Sequence, residues 1–446
     1  MKIRFRAAMA VAASAALLAA CSSAEPSGDA GSEAPASDAG TTEMTGDWPD
    51  LGGTTVNVAA SWSGTEQENF QKVLAGFEEA TGATVQYTSF GDKAADYLGT
   101  QIAGGSAPDV ALIAQPGLLK QFVADGSIKP LSDDTLATVK ENYAQTWVDL
   151  SSVDGKDYGV WLKASNKSTI WYNTSLYDAA GVTPPQTWDD FVAALQTLSD
   201  SGVAGISVGA DVGWPLTDWF ENAYLRIAGA EKYDQLTNHE IPWTDDSVKQ
   251  TLEALAQVWG NPALVEEGGA QRAFVDTVTE VFGDSPKVAT VYEGDFLAAN
   301  IAETGAAVGT DALYYPWPSM NGSAPAVMGS GDVAIAFNDG EAAQALLKYL
   351  ATPEAANTWI ALGGFTSPNQ NSDLSLYPDD VSRQIAQDLV NAETFRFDMS
   401  DLTPSAFGGT QGQGFWQEMI NFYEDPADVQ GAMDALEAAA ASAYEG

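Results

Sequence analysis

Two short stretches concentrate residues that could do chemistry. "GWPLTDWFE" carries Trp214, Asp218, Trp219 and Glu221, and "YEGDF" carries Glu293 and Asp295. Carboxylates hydrogen-bond vicinal hydroxyls, and an indole face stacks on the apolar CH face of a pyranose, so this mixture suits a neutral polyhydroxylated ligand. The same residues admit a second chemistry. A retaining glycosidase needs two carboxyl groups about 5–5.5 Å apart, and acids at i, i+2 on a strand face one side. Glu293 with a second carboxylate could therefore cleave a glycosidic bond. The plainer reading of "YEGDF" is that Asp295 caps the helix predicted over "FLAANIAE" while Glu293 binds a ligand or a backbone amide.

Other chemistries lack their residues. The chain has one cysteine, Cys21, so no disulfide can form within it. Its one histidine, His239, stands in the polar stretch "QLTNHEIPW" with no metal-ligand spacing around it and reads as a surface residue. Triad catalysis would have a single candidate base. No metal and no cofactor is expected. The formal net charge of −42 leaves few bases to displace counterions from nucleic acid, which is excluded as a partner.

Positioning the acids and indoles takes alternating strands and helices. "TTVNVAASW" is β-rich. "EQENFQKVLAGFEEATG" repeats apolar residues at Phe70, Val73, Leu74 and Phe77, which predicts a helix ended by Gly82. "ATVQYTSF", "AADYLGTQIAGG", "DVALIA" and "PGLLKQFVADG" continue the alternation, the last with Pro116 in a first helical turn. Thr187 is the expected N-cap of "TWDDFVAALQTLSDSG". "AGISVG", "VATVYEG" and "DVAIAF" read as strands, and helices return over 341–351, over 353–362 and from Gly414. Short strand–helix connections predict an α/β chain with parallel pairing. In open α/β sheets ligands bind beyond the carboxyl ends of strands. Those ends supply Trp62 and Glu66, Asp92, Gln115, Lys163, Trp214 with Asp218 and Trp219, Glu293, and Trp317. Trp188, Trp243, Trp259 and Trp359 sit on helical apolar faces and are expected in the core. Gly329 and Gly331 are expected to let the backbone approach a ligand or a hinge.

The first residues combine cations at Lys2, Arg4 and Arg6 with an apolar run over 7–18 that is too short to span a bilayer. Leu18-Ala19-Ala20-Cys21 resembles the bacterial lipobox. That resemblance implies cleavage before Cys21 and a diacylglyceryl thioether on its sulfur, a stable anchor once two or three chains are attached. Residues 22–51 carry seven acids and no base among Ser, Gly, Ala, Thr and Pro, and read as an extended tether.

Block by block, the rest is similar to a known family. "TEQENFQKVLAGFEEATGATVQY", "GSAPDVALIAQPGLLKQFV", "GWPLTDWFENAYLRIAG", "GSGDVAIAF", "YLATPEAANTWIALGGFTSPNQN" and "FRFDMSDLTPSAFGG" resemble the alpha-glucoside-binding branch of the extracellular solute-binding lipoproteins of carbohydrate ABC importers. The resemblance implies a two-lobed periplasmic-binding-protein-like α/β fold with a hinge and an interlobe cleft. On that pattern residues 1–20 are a signal peptide and 21–53 a lipidated tether. Lobe 1 is 54–163 plus 319–365, and lobe 2 is 164–318 plus 366–446. The implied ligand is an alpha-glucoside or related oligosaccharide of the maltose, sucrose or trehalose type. The implied partners are permease subunits and, through Cys21, the outer face of the cell membrane, with the binding protein a monomer and no enzyme. Carried onto this chain, the sugar contacts are Trp62, Glu66, Asp92, Gln115 and Lys163, then Trp214, Asp218, Trp219, Glu293 and Trp317. Asp332, Phe365 and Ser367 join them at a later crossover. A secreted glycoside hydrolase built on Glu293 and a non-transport sugar sensor are the alternatives.

Overall fold

The computed structural model describes residues 48–445; the expected signal peptide, Cys21 and most of the acidic tether lie outside the described residues. Order starts before Thr54. Leu51 is buried in the first core, its N–H donates to the Thr81 carbonyl at 2.7 Å, and the Trp48 ring packs edge-on to Tyr349 at 6.0 Å. Two aromatic or aliphatic anchors thus outweigh the polar composition of the final tether residues.

Two sheets organise the chain. The first runs in the order Phe395–Phe397, Val327–Ala336, Val110–Ile113, Thr55–Ala60, Thr84–Ser89, with Gly159–Asn166 also paired to Val327–Ala336. Thr55–Ala60 is parallel to both Thr84–Ser89 and Val110–Ile113, as the strand–helix alternation predicts. The helix between the first two strands, Gly64–Thr81, buries Phe70, Val73, Leu74 and Phe77 and stops at Gly82, whose φ of 72° is the left-handed conformation glycine adopts freely. The second sheet runs Ala312–Pro316, Thr169–Asn173, Val288–Tyr292, Ala204–Ser207. It has a core on each face, because side chains alternate along its strands: Ile170 and Tyr172 join one core, and Trp171 between them joins the other. Thr187 caps the Trp188–Asp200 helix through Oγ1.

The chain passes between the first sheet and the second-sheet layers three times. Lys167 and Ser168 connect Gly159–Asn166 to Thr169–Asn173, residues 317–326 connect Ala312–Pro316 to Val327–Ala336, and Asp398 leads from Phe395–Phe397 into the C-terminal helices. Met399, Phe407, Phe415 and Met419 of those helices are buried in the second-sheet core. Gly329 and Gly331 lie in the strand Val327–Ala336 that follows the second passage. A Cβ on either would meet a carbonyl of the facing strand, Ser165 O at 2.7 Å or Lys163 O at 2.6 Å. The glycines therefore admit a neighbouring strand.

Candidate functional site

A cleft of about 810 Å³ opens between the ends of first-sheet strands and the helices Trp214–Thr237, Phe274–Phe282, Leu297–Glu303 and Gly414–Glu424. One wall comes from the first sheet. Trp62 follows Thr55–Ala60, Glu66 stands in the first turn of Gly64–Thr81, Asp92 follows Thr84–Ser89, and Gln115 follows Val110–Ile113; all four line the cleft. Three parallel strands thus deliver polar side chains from their carboxyl ends to one place. Lys163 and Asp332, facing each other on the paired strands Gly159–Asn166 and Val327–Ala336, line it too.

Lys163 is the charged centre of this wall. Its Nζ lies 2.5 Å from Glu66 Oε1 and 5.5–5.9 Å from the ring centres of Trp62, Phe296 and Trp359. Burial alone would lower its pKa, but Glu66 and Asp332 outweigh burial and raise it, so the ammonium persists. Burial pushes the Asp332 carboxyl up to about 6, against the pull of Lys163.

The other side of the cleft sets aromatic rings among polar residues such as Asp276, Asp284, Asn300 and Glu303. Trp214 opens the Trp214–Thr237 helix, Phe274 opens Phe274–Phe282, Phe296 precedes Leu297–Glu303, and Trp416 belongs to Gly414–Glu424. All four line the cleft. Trp214 packs edge-on against Phe274 at 5.2 Å and Phe296 at 6.1 Å. Gln115 Oε1 and Trp416 Nε1 are buried without a hydrogen-bond partner among the described residues. Each is an acceptor or donor that a hydroxyl-bearing ligand could satisfy.

A buried charge cluster forms the floor. Lys167 Nζ lies 3.0 Å from Asp218 Oδ2 and 2.6 Å from Asp398 Oδ2, and 5.3 Å from the Trp214 ring centre. Asp218, Glu221 and Asp398 approach closely enough to surround a cation, and the Lys167 ammonium is the cation that pairs with two of them. Burial drives the carboxyls of Asp218, Glu221, Glu293 and Asp401 well above the carboxylate range. Asp398 is equally buried, yet Lys167 and the Ser400 hydroxyl hold it below that range. Lys167, Asp398, Ser400 and Asp401 show their cleft sides to the ligand space.

Seven of the thirteen sugar-contact candidates thus meet in the cleft: Trp62, Glu66, Asp92, Gln115, Lys163, Trp214 and Asp332. The other six do not line it. Asp218 is fully buried behind Lys167. Trp219 lies in the core, edge-on to Tyr292 and Trp317, and Trp317 stacks on Trp188. Phe365 stacks on Trp359 at 4.8 Å. Ser367 is buried and accepts from the Asn369 N–H. Glu293 is 2 % exposed, its carboxyl set against that of Asp218. Asp295 does not cap a helix through its side chain: Phe296 holds the N-cap of Leu297–Glu303, and the Asp295 carboxylate accepts from the Thr366 hydroxyl. Phe274, Phe296, Trp416, Lys167, Asp398 and Asp401 are cleft residues absent from the sequence-based set. The doublet of acids in "FRFDMSDL" was the available signal for the last two.

Comparison with known proteins agrees with this geometry. Residues 61–357 match the family model described as bacterial extracellular solute-binding protein. The osmoprotective compounds-binding protein GgtB of Synechocystis sp. is 36% identical over 378 residues, covering 82% of this chain and 88% of that protein. The alpha-glucosides-binding periplasmic protein AglE of Rhizobium meliloti is 34% identical over 410 residues, covering 87% and 88%. Among solved structures, the bacterial solute receptor AcbH, described as preferring β-D-galactopyranose, superposes with a TM-score of 0.77 at 18% identity, over 88% of this chain and all of that one. At that identity the likeness concerns the fold, which is two-lobed.

Proposed function

The chain belongs to the bacterial extracellular solute-binding proteins, and from that premise we propose that it captures an alpha-glucoside or related oligosaccharide, of the maltose, sucrose or trehalose type, for an ABC importer. The observation that carries this reading is one cleft lined by both polar side chains and aromatic rings. Acids and an amide that follow three parallel strands, with Lys163 from an antiparallel neighbour, line it together with the rings of Trp214, Phe274, Phe296 and Trp416. A pyranose has the same two characters, hydroxyls at its edge and an apolar CH face. The name of the AglE relative supports the alpha-glucoside class. Contacts from both walls would favour a closed arrangement of the lobes, which permease subunits then recognise.

Binding in this reading is non-covalent and nothing is turned over. Glu293, the lead acid of the hydrolase alternative, is buried outside the cleft lining, where it cannot flank a scissile bond. The protein works outside the cytoplasm as a monomer, held to the membrane by lipid on Cys21; the lipobox-like Leu18–Cys21 supports the anchor. Among the described residues no helix is long and apolar enough to cross a membrane.

Thermal melts against a sugar panel test the proposal. A ligand at about 100 times its Kd adds about 2.7 kcal/mol to the folded state, so at least one of maltose, sucrose and trehalose should raise Tm by several degrees. No shift with any mono- or disaccharide overturns the alpha-glucoside assignment.

A further inference from the structure

Asp218, Glu221, Asn222 and Arg226 stand at i, i+3, i+4 and i+8 of the Trp214–Thr237 helix, ahead of its break at Gly229. That spacing puts them on one face. None is more than 5 % exposed, and none lines the cleft. Together they reach all three passages between the sheets.

At the first passage, Asp218 pairs with Lys167, Asn222 Nδ2 donates to the Lys167 carbonyl at 2.9 Å, and Ser168 Oγ donates to Asn222 Oδ1 at 2.6 Å. At the second, Arg226 Nη2 donates to the Ala326 carbonyl at 2.6 Å. At the third, the Glu221 carboxylate accepts from the backbone N–H of Met399 at 2.6 Å and of Ser400 at 3.0 Å. Arg226 Nη1 ties the face together by donating to Asn222 Oδ1 at 3.0 Å. Tyr233, beyond the break, sets its hydroxyl 3.0 Å from both Glu221 Oε2 and the Phe397 carbonyl.

Apolar side chains would fill this space at lower desolvation cost. What hydrogen bonds add is direction: each fixes a backbone group of a passage at one distance and angle. We propose that this helix face is a clamp on the hinge, four positioning residues that hold the three passages at one setting and thereby govern lobe spread and ligand affinity without touching ligand. The proposal rests on the reading of the cleft as a sugar trap that closes. Lys167 and Asp398 connect the two roles, since they face the cleft on one side and the clamp network on the other. Loosening the clamp widens the ligand-free ensemble, leaves a smaller closable fraction, and weakens apparent affinity by that fraction.

Small-angle X-ray scattering and calorimetric titration on the full chain test this, with the sugar that stabilises the wild type as probe. Arg226→Met and Asn222→Ala should enlarge the ligand-free radius of gyration and raise Kd about fivefold or more. Arg226→Lys, which keeps a donor in place, should recover part of both. Glu66→Gln, a cleft-wall change, should raise Kd with the ligand-free profile unaltered. If Asn222→Ala does not fold, judged by circular dichroism, the Arg226 pair carries the test. A ligand-free profile equal to wild type in the folded clamp variants overturns the proposal, whatever happens to Kd. If no sugar binds the wild type, the functional reading fails, and the ligand-free scattering still decides the clamp.

Discussion

Lys163 Nζ and Glu66 Oε1 meet at 2.5 Å, joining the strand Gly159–Asn166 to the first turn of the Gly64–Thr81 helix. The lysine is 3 % exposed, so removing its partner strands a buried charge. Lys163→Met should cost on the order of 3 kcal/mol in urea unfolding, because Glu66 and Asp332 lose their cation. Adding Glu66→Gln should restore part of that stability. Additive losses in the double variant would contradict the coupling.

Trp214 and Trp219 are five residues apart on one helix and do different work. Trp214 lines the cleft against Phe274 and Phe296, whereas Trp219 is sealed among Phe191, Trp259, Tyr292 and Trp317. Trp214→Ala should weaken sugar binding about tenfold or more with little change in Tm. Trp219→Ala should cost about 3–5 kcal/mol of stability, with the folded fraction binding nearly as wild type. Titration calorimetry and denaturant melts on both variants separate these outcomes, and the reverse pattern would exchange the roles assigned to the two indoles.

That contrast marks how far the sequence could be read. The strand-end rule led to Trp62, Glu66, Asp92 and Gln115, because parallel strands deliver their following residues to one edge whatever the side chain. It could not rank residues inside the helix that followed. A five-residue step turns a helix by roughly 140°, so Trp214 and Trp219 could not share the cleft, and Asp218 went to the clamp face. Trp317 follows a strand and Phe365 follows the helix Pro353–Ile360, but ring partners in the core claim both. Trp416, Asp398 and Asp401 enter from the last passage. Their proximity to Lys167 depends on a return of more than two hundred residues that no local pattern encodes.

Cys21 makes a prediction about place. With the lipobox-like "LLAAC" intact, the protein should sediment with membranes and release only in detergent. Cys21→Ser should shift it to the soluble extracytoplasmic fraction while leaving sugar affinity unchanged. Equal partitioning of the two forms would remove the anchor.

Asp295 makes stability depend on pH in an unusual direction. Burial pushes its carboxyl up to about 6, although the Thr366 hydroxyl, the Asn166 contact and Lys163 all pull it down. In the unfolded chain an aspartate titrates near about 3.9. Between those values the folded chain keeps a proton that the unfolded chain has released, so this group's contribution is complete below about pH 4 and is lost as pH rises through about 6. Asp332, also raised to about 6, acts in the same sense. Asp295→Asn preserves the shape and cannot ionise. Relative to wild type it should therefore gain about 2–3 kcal/mol between pH 4 and pH 8, read from urea unfolding across that range. A wild-type-to-variant difference that stays constant with pH would mean that Asp295 titrates normally, and that Lys163 and Thr366 compensate its burial in full.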